Sequence, residues 1–361
     1  MPSWADRVAA ECRAVEAAGQ WRSIRDVDDG LVYFASNDYL GLSAHPAVVH
    51  AAHAALDRWG TGSGGARLVA GSRPVHTELE AALADWKGEN AALLFPTGYA
   101  ANLGVLATFA TSGARVLSDE RNHASIVDGC RLSRAEVCVY RHGDLDHVDD
   151  LLRTSPGPAI VVTDTVFSMD GDVAPVAGLA DRCAGRGALL VLDEAHAVLG
   201  PEPGPVLDGV DHLRVGTLSK YLGSLGGFVA GPRPFVDLLV NRARPFIFTT
   251  AGTPADAAAG LAALGVLRSE EGAQLVDRLR ANVDLVRQGH PSPIVPVVIG
   301  DEADALAASA ALRDRGLLVP AIRPPTVAPG TSRLRISLSA THTPGQVHAL
   351  LDGLEAVRRA P

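Results

Sequence analysis

Between about residue 75 and about residue 230, short apolar runs alternate with segments whose apolar residues recur at helical spacing. After Pro74, Val75, Leu79 and Leu83 mark one helical face; Ala91 to Phe95 then reads as a buried strand and Tyr99 to Ala110 as the next helix. The strand series continues through Val116-Leu117, Val137 to Tyr140, Ala159 to Thr163, Ala188 to Leu192, Leu213 to Thr217 and Gly227 to Ala230. Repeated βα alternation leaves few topologies open. The fold class expected is α/β, with a mostly parallel sheet in a large domain, helices on both faces and ligands at the strand carboxyl ends.

Past Pro232 and Pro234 the pattern changes to alanine-rich helix through about Val266, and Ile294 to Ile299 and Leu334 to Leu338 are further candidate strands. In Arg333-Leu334-Arg335-Ile336-Ser337-Leu338 the alternation puts the apolar residues on one face and both arginines on the other. Thr343 as cap and Pro344 as first residue open a last helix through Val347, Leu350, Leu351 and Leu354. At 361 residues the chain exceeds the usual single domain. The expected division is an N-terminal helix and extension over 1–40, a large domain over 41–240 and a smaller α+β C-terminal domain over 241–361.

A formal charge of −9 with no basic run argues against nucleic acid as a ligand, since phosphate backbones demand clustered Lys and Arg. Cys12, Cys130, Cys138 and Cys183 show no CxxC spacing, which points away from zinc or a disulfide scaffold and toward reduced thiols in a cytoplasm. Trp4, Asp6, Arg7, Glu11 and Arg13 among alanines read as an amphipathic helix rather than a signal peptide. No uncharged apolar run reaches the roughly 18 residues of a membrane span, so a soluble, cytoplasmic protein without metal is expected.

Two neighbouring strand ends carry complementary groups. Asp193-Glu194-Ala195-His196 closes the Ala188 to Leu192 run, and Thr217-Leu218-Ser219-Lys220 closes the next βα unit, with glycines following the lysine. Alone, a loop lysine is ordinarily solvated and a strand-end aspartate ordinarily caps a helix. Together they suit pyridoxal 5′-phosphate, which needs a lysine to hold it as a Schiff base and a carboxylate to keep its pyridine nitrogen protonated. Pro96-Thr97-Gly98-Tyr99-Ala100-Ala101-Asn102 joins a strand to a helix whose N–H groups and dipole favour a phosphate. Gly98 permits close approach there and Tyr99 offers an amide. His123, after another strand, can stack on the ring or relay a proton, and the Ser168 hydroxyl can contact it, while Asp170-Gly171 reads as a turn.

Ser36-Asn37-Asp38-Tyr39-Leu40-Gly41-Leu42, Gly62-Ser63-Gly64-Gly65, His76-Thr77-Glu78-Leu79-Glu80, Val166 to Gly171, Asp193 to His196, Thr217 to Lys220 and Ala321 to Val327 together resemble the α-oxoamine synthase family. The motifs span about residues 33 to 342, in family order. The resemblance implies a homodimeric fold-type I pyridoxal phosphate transferase that joins an amino acid to an acyl thioester with loss of carbon dioxide. Ile322 to Val327, Gly330-Thr331 and Arg333 to Arg335 look most like the branch that uses L-alanine and a pimeloyl thioester, carried on coenzyme A or an acyl carrier protein. A sibling activity on glycine, serine or another acyl thioester, and a non-catalytic partner subunit, are the alternatives.

Carried over by position, the resemblance makes Lys220 the cofactor lysine, Asp193 the pyridine nitrogen partner and His196 the donor to the ring oxygen. Gly98 and Tyr99 fall on phosphate positions, His123 on the stacking position, and Ser168 and Thr217 on further cofactor contacts. Thr249 or Thr250 is implied to reach the phosphate of the neighbouring subunit. Thr326, Arg335 and, by an N-terminal helix, Arg22 match substrate positions. Two departures border these groups: the stretch from Ala197 to Pro205 is shortened, and Tyr221 follows the lysine where smaller residues are common.

Overall fold

The computed structural model describes residues 1–24, 26 and 30–359, the side chain of Arg359 excepted. The first helix, α1 (Trp4–Ala17), opens on a reciprocal cap: the Ser3 hydroxyl accepts from the Asp6 N–H at 3.1 Å, and the Asp6 carboxylate accepts from the Ser3 N–H at 3.0 Å. A short strand, β1 (Val32–Tyr33), precedes α2 (Pro46–Trp59) and α3 (Pro74–Lys87), each with proline in its first turn, where no intrahelical N–H bond is lost.

The expected alternation follows. It runs β2 (Ala91–Phe95), α4 (Gly98–Phe109), β3 (Arg115–Asp119), α5 (Ala124–Leu132), β4 (Glu136–Tyr140), α6 (Leu145–Arg153), β5 (Ala159–Asp164), α7 (Val176–Arg186), β6 (Leu189–Asp193), β7 (His212–Thr217) and β8 (Gly227–Gly231). These seven strands form one sheet in the order β2-β8-β7-β6-β5-β3-β4. Its pairs are parallel except that β8 runs antiparallel to both β2 and β7.

Successive strand residues enter different cores. Val116, Val162 and Val191 pack with Val105 and Leu106 of α4 and Ile126 of α5; Leu117, Val161 and Leu190 pack with Val148 of α6 and Leu179 of α7. Every one of these side chains is at most 1% exposed. Burying a Val or Leu completely is worth about 1.5–3 kcal/mol, so a strand with two apolar faces has no stable place except between helical layers.

Downstream come α8 (Arg233–Arg242), α9 (Arg244–Ile247), α10 (Pro254–Leu267), α11 (Glu270–Val286), β9 (Ile294–Gly300), α12 (Glu302–Arg313), β10 (Leu317–Leu318), β11 (Ala321–Ile322), β12 (Ser332–Ser337) and α13 (Pro344–Arg359). The single alanine-rich helix expected through Val266 is thus three helices. Pro245 and Pro254 each start a new one, because proline is accepted in a first turn and not in a helix interior. Strands β11, β12 and β9 form a small sheet, and β1 runs parallel to β10.

The chain divides into two compact units, Met1–Ala35 with Pro296–Ile336 and His348–Pro361, and Ser36–Val295 with Ser337–Val347. This division differs from the expected one: residues 1–35 group with 296–336 and 348–361, 36–40 and 337–347 group with the large sheet, and so do 241–295. There α10 packs on α2 and α3 through small residues such as Ala257, Gly260 and Ala263, which brings it into the unit of the large sheet. Among the described residues, no helix is long and apolar enough to cross a membrane.

Candidate active site

Strands β5, β6 and β7 end side by side, with Asp164 in register with Asp193 and Asp193 with Val215. The turn after β6 is fixed by the Asp193 carboxylate, whose Oδ1 accepts from the Ala195 N–H at 2.9 Å. Lys220, in the turn after β7, brings its Nζ to 2.7 Å from His196 Nε2. On its other side His196 is held at Nδ1 by the Tyr39 hydroxyl at 2.6 Å, and that hydroxyl donates to Asn37 Oδ1 at 3.1 Å. Both rings are buried, so His196 is locked with Nε2 toward the lysine.

The α4 N-terminus completes this edge. Thr97 caps the helix by accepting from the Ala100 N–H at 3.0 Å, leaving the amides of Gly98 and Tyr99 at the positive end of the dipole. A Cβ on Gly98 would lie 3.3 Å from the Thr217 Cβ, and one on Gly227 would collide with the backbone of Thr97 and Gly98. Glycine at both positions is therefore what lets the helix start sit against the ends of β7 and β8. Thr217 is itself fixed, donating to the Gly226 carbonyl at 2.9 Å and accepting from the Ser219 N–H at 3.1 Å.

His123 caps α5, its ring edge-on to that of Tyr99 at 6.4 Å between centroids. Its N–H donates to Asp164 Oδ2 at 2.7 Å. Asp164 is fully enclosed, and burial together with the neighbouring Asp193 pushes its pKa well above the usual carboxylate range, with Lys220 opposing. The His123 ring has its pKa lowered by the loss of water around it and by Lys220, against the pull of Asp193.

Behind the turn lies a closed charge cluster. Glu194 takes Arg214 in a two-pronged pair at 2.6 and 3.1 Å and Lys87 at 2.7 Å, all three buried. Burial works against the Glu194 carboxylate, yet Lys87 and Arg214 hold its pKa below the ordinary value. Both departures in sequence resolve here. The shortened stretch returns Glu202 to Arg214 at 2.8 Å and to Lys87 at 3.3 Å, and Tyr221 is buried with its ring 6.2 Å from that of Trp86.

Lys220, His196, Asp193, His123, Gly98, Tyr99 and Thr217 thus come from one sheet edge. Ser168 lies in the turn after β5, which Gly171 closes with a positive φ of 71°. Thr249 and Thr250 occupy the segment between α9 and α10, where the neighbouring Ala251 N–H donates to the Gly65 carbonyl at 2.9 Å. Arg335 sits in β12, buried like Leu334 and Ile336, so the arginine face of this strand is enclosed as well. Thr326 is exposed in the turn after β11. Arg22 is exposed and not helical as expected: α1 stops at Ala17, and Gly19 with φ 67° turns the chain out of the helix. Sequence reading did not assign Asn102, Tyr39, Asp164 or Glu194; the need of a buried polar group for a partner is the signal that could have found them.

The protein-family model described as aminotransferase class I and II matches residues 29–354. The chain is 50% identical to the 8-amino-7-oxononanoate synthase of Anaeromyxobacter dehalogenans, over 98% of this chain and 95% of that protein. It is 47% identical to the protein of the same name from a Methylobacterium species, over 96% and 95%. A serine palmitoyltransferase from S. paucimobilis with a bound PLP-myriocin adduct matches with a TM-score of 0.90 and 31% identity, over 98% of this chain and 97% of that one. The chain belongs to the aminotransferase class I and II family, as an α-oxoamine synthase.

The fold of this α-oxoamine synthase is the fold-type I transferase architecture. Its sheet edge fits pyridoxal 5′-phosphate in donor chemistry: an amine at Lys220, a carboxylate at Asp193, imidazoles at His196 and His123, and a helix start kept open by Gly98, where any side chain would press on Thr217.

Proposed function

We propose that this α-oxoamine synthase joins L-alanine to a pimeloyl thioester, releasing carbon dioxide and the thiol, to form the biotin precursor 8-amino-7-oxononanoate. One observation carries the reading: relatives of that name are about half identical along nearly the whole chain. A serine-using sibling is the second reading, favoured by the serine palmitoyltransferase match, but its identity is lower at 31%. The Lys220–His196 bond and Asp193 belong to a working site rather than to a non-catalytic partner subunit.

Pyridoxal 5′-phosphate, when bound, supplies the electron sink that lets bonds at the amino acid's α-carbon break heterolytically. Lys220 Nζ would hold it covalently, with Gly98 and Tyr99 amides, Ser168 and Thr217 at its phosphate and ring, His196 donating to the ring oxygen and His123 stacked on the ring face. Asp193 would keep the pyridine nitrogen protonated. Once released, the Lys220 amine takes the α-proton of alanine and later returns a proton to the product carbon. Arg335, a planar two-pronged donor, would take the amino acid carboxylate, with Thr326 and Arg22 also on the substrate.

The working enzyme is a homodimer in which Thr249 or Thr250 reaches the partner's phosphate, and it acts in the cytoplasm, where Cys130 and Cys183 stay as buried free thiols. The acyl group comes from coenzyme A or an acyl carrier protein. Incubation of purified protein with L-alanine and pimeloyl thioester should release thiol and yield a product of the oxononanoate mass. Preference for glycine or serine, or amino transfer to a keto acid without thiol release, overturns the assignment.

A further inference from the structure

Helix α4 carries two buried polar side chains that the cofactor assignment does not use, Asn102 one turn in and Thr108 near its end. Asn102, 1% exposed, lies one turn inside the helix whose start bears Gly98 and Tyr99. Its amide nitrogen donates twice, to Asp193 Oδ2 at 2.6 Å and to Ser125 Oγ at 2.9 Å. Its carbonyl Oδ1 is buried and meets no donor among the described residues. Burying an acceptor without a donor costs free energy, and a carboxamide can avoid that by turning over. Turned over, Oδ1 could accept from the Ser125 hydroxyl, but it would then face a carboxylate oxygen of Asp193. The orientation seen is the one that lets the Asn102 amide nitrogen donate to Asp193 Oδ2.

From Ser125 the chain of bonds continues to the imidazole. Ser125 Oγ is 2.8 Å from His123 Nδ1, and the Ser125 backbone N–H donates to the same Nδ1 at 3.2 Å. A backbone N–H can only donate, so Nδ1 is an acceptor. The Ser125 oxygen, already accepting from Asn102, gives Nδ1 its own proton, and the neutral His123 ring carries its hydrogen on Nε2. Other groups face this chain from every side: Asp164 from β5, beside Asp193 and bonded to the His123 N–H; Lys220 from the turn after β7; the Ala195 N–H on Asp193 Oδ1; and the Tyr99 ring against His123, with its hydroxyl on Asp128.

We propose that Asn102 is a positioning residue that orients the Asp193 carboxylate directly and, through Ser125, sets the tautomer of His123. One hydrogen-bond chain thereby sets both the acid at the cofactor's ring nitrogen and the imidazole on its face. The inference rests on reading Lys220, Asp193 and His123 as cofactor residues. It makes α4 serve the site twice, by its N-terminus and by a side chain one turn further on.

The test uses holoenzyme of Asn102→Leu and Ser125→Ala beside the unaltered protein. Asn102→Leu keeps roughly the side-chain volume and removes both donors. It should lower kcat at least ~10-fold, leave KM for L-alanine within about 3-fold, and move the pH midpoint of the visible absorption band, because the Asp193 carboxylate at the ring nitrogen is no longer held in place. Ser125→Ala leaves the Asn102–Asp193 bond in place, so the absorption titration should hold while the pH profile of kcat/KM shifts. Unchanged kcat and titration in Asn102→Leu, or effects confined to thermal unfolding, overturn the proposal. If Asn102→Leu does not fold, Ser125→Ala decides: an unshifted profile overturns it. Borohydride labelling of the unaltered protein separates the two levels, because a label at Lys220 with null kinetic effects sinks this inference alone, whereas no label there sinks the cofactor reading itself.

Discussion

Lys220 and Lys87 are the two lysines of the chain, and their surroundings make them unequal. Lys87 is buried with its Nζ 2.7 Å from Glu194 Oε2 and 3.8 Å from the Trp86 ring centroid; burial alone would lower its pKa, but Glu194 reverses the sign and raises it. An ammonium held in that way is no nucleophile. Borohydride treatment of holoenzyme should therefore add the cofactor mass to the peptide carrying Lys220, and Lys220→Ala should abolish the adduct without moving it to Lys87. Asp193→Asn tests the partner group. The amide keeps the shape but loses the charge, and its NH2 group then competes with that of Asn102 at 2.6 Å. Losing a hydrogen bond to a charged group costs ~1.5–3 kcal/mol, so turnover should fall roughly 10- to 100-fold with cofactor still bound; near-normal turnover would make the carboxylate structural.

At the scale of elements, the turn between β5 and α7 is clamped by one imidazole. His142 lies between Asp119, at the end of β3, at 2.9 Å and Asp172, in that turn, at 2.5 Å, with its ring edge-on to Phe167 at 4.4 Å. The bonds to Asp119 and Asp172 raise its pKa to about 9 from an ordinary value near 6.5. A raised folded-state pKa means the stabilisation is complete below about 6.5 and is lost as pH rises through about 9. The ring still sees solvent, so the full linkage value is discounted to about 1–2 kcal/mol. Between pH 6 and pH 9.5 the urea midpoint of the protein should fall more than that of His142→Asn; parallel curves would show that the clamp carries no net charge energy. Neither this clamp nor the Asn102 bonds are legible in the sequence. Their partners lie 23, 30 and 91 positions away, and a lone His or Asn carries no spacing that announces them. The sheet strands are legible because burial on both faces makes them apolar runs, as at Ala159–Asp164 and Leu189–Asp193. The helix breaks at Pro245 and Pro254 were readable in principle, but the uniform alanine content masked them.

At the scale of the whole molecule, the proposed sharing of the site points beyond one chain. Thr249 and Thr250, given to the partner's phosphate in the reading above, allow a test that needs no structure of the dimer. Lys220→Ala alone should be inactive, and the double variant Thr249→Val with Thr250→Val should bind the cofactor weakly and turn over slowly. Mixed and reassembled, they form hybrids in which one site joins the intact Lys220 of one chain to the intact threonines of the other. If the threonines act across the interface, the mixture should regain up to roughly a quarter of wild-type activity, since random pairing makes half the dimers hybrid and each hybrid has one complete site of two. If they act within their own chain, every site in every hybrid lacks either the lysine or the threonines, and mixing restores nothing. Sedimentation of the mixture guards the result: dimers that exchange subunits without recovery would place the phosphate contact inside a single chain.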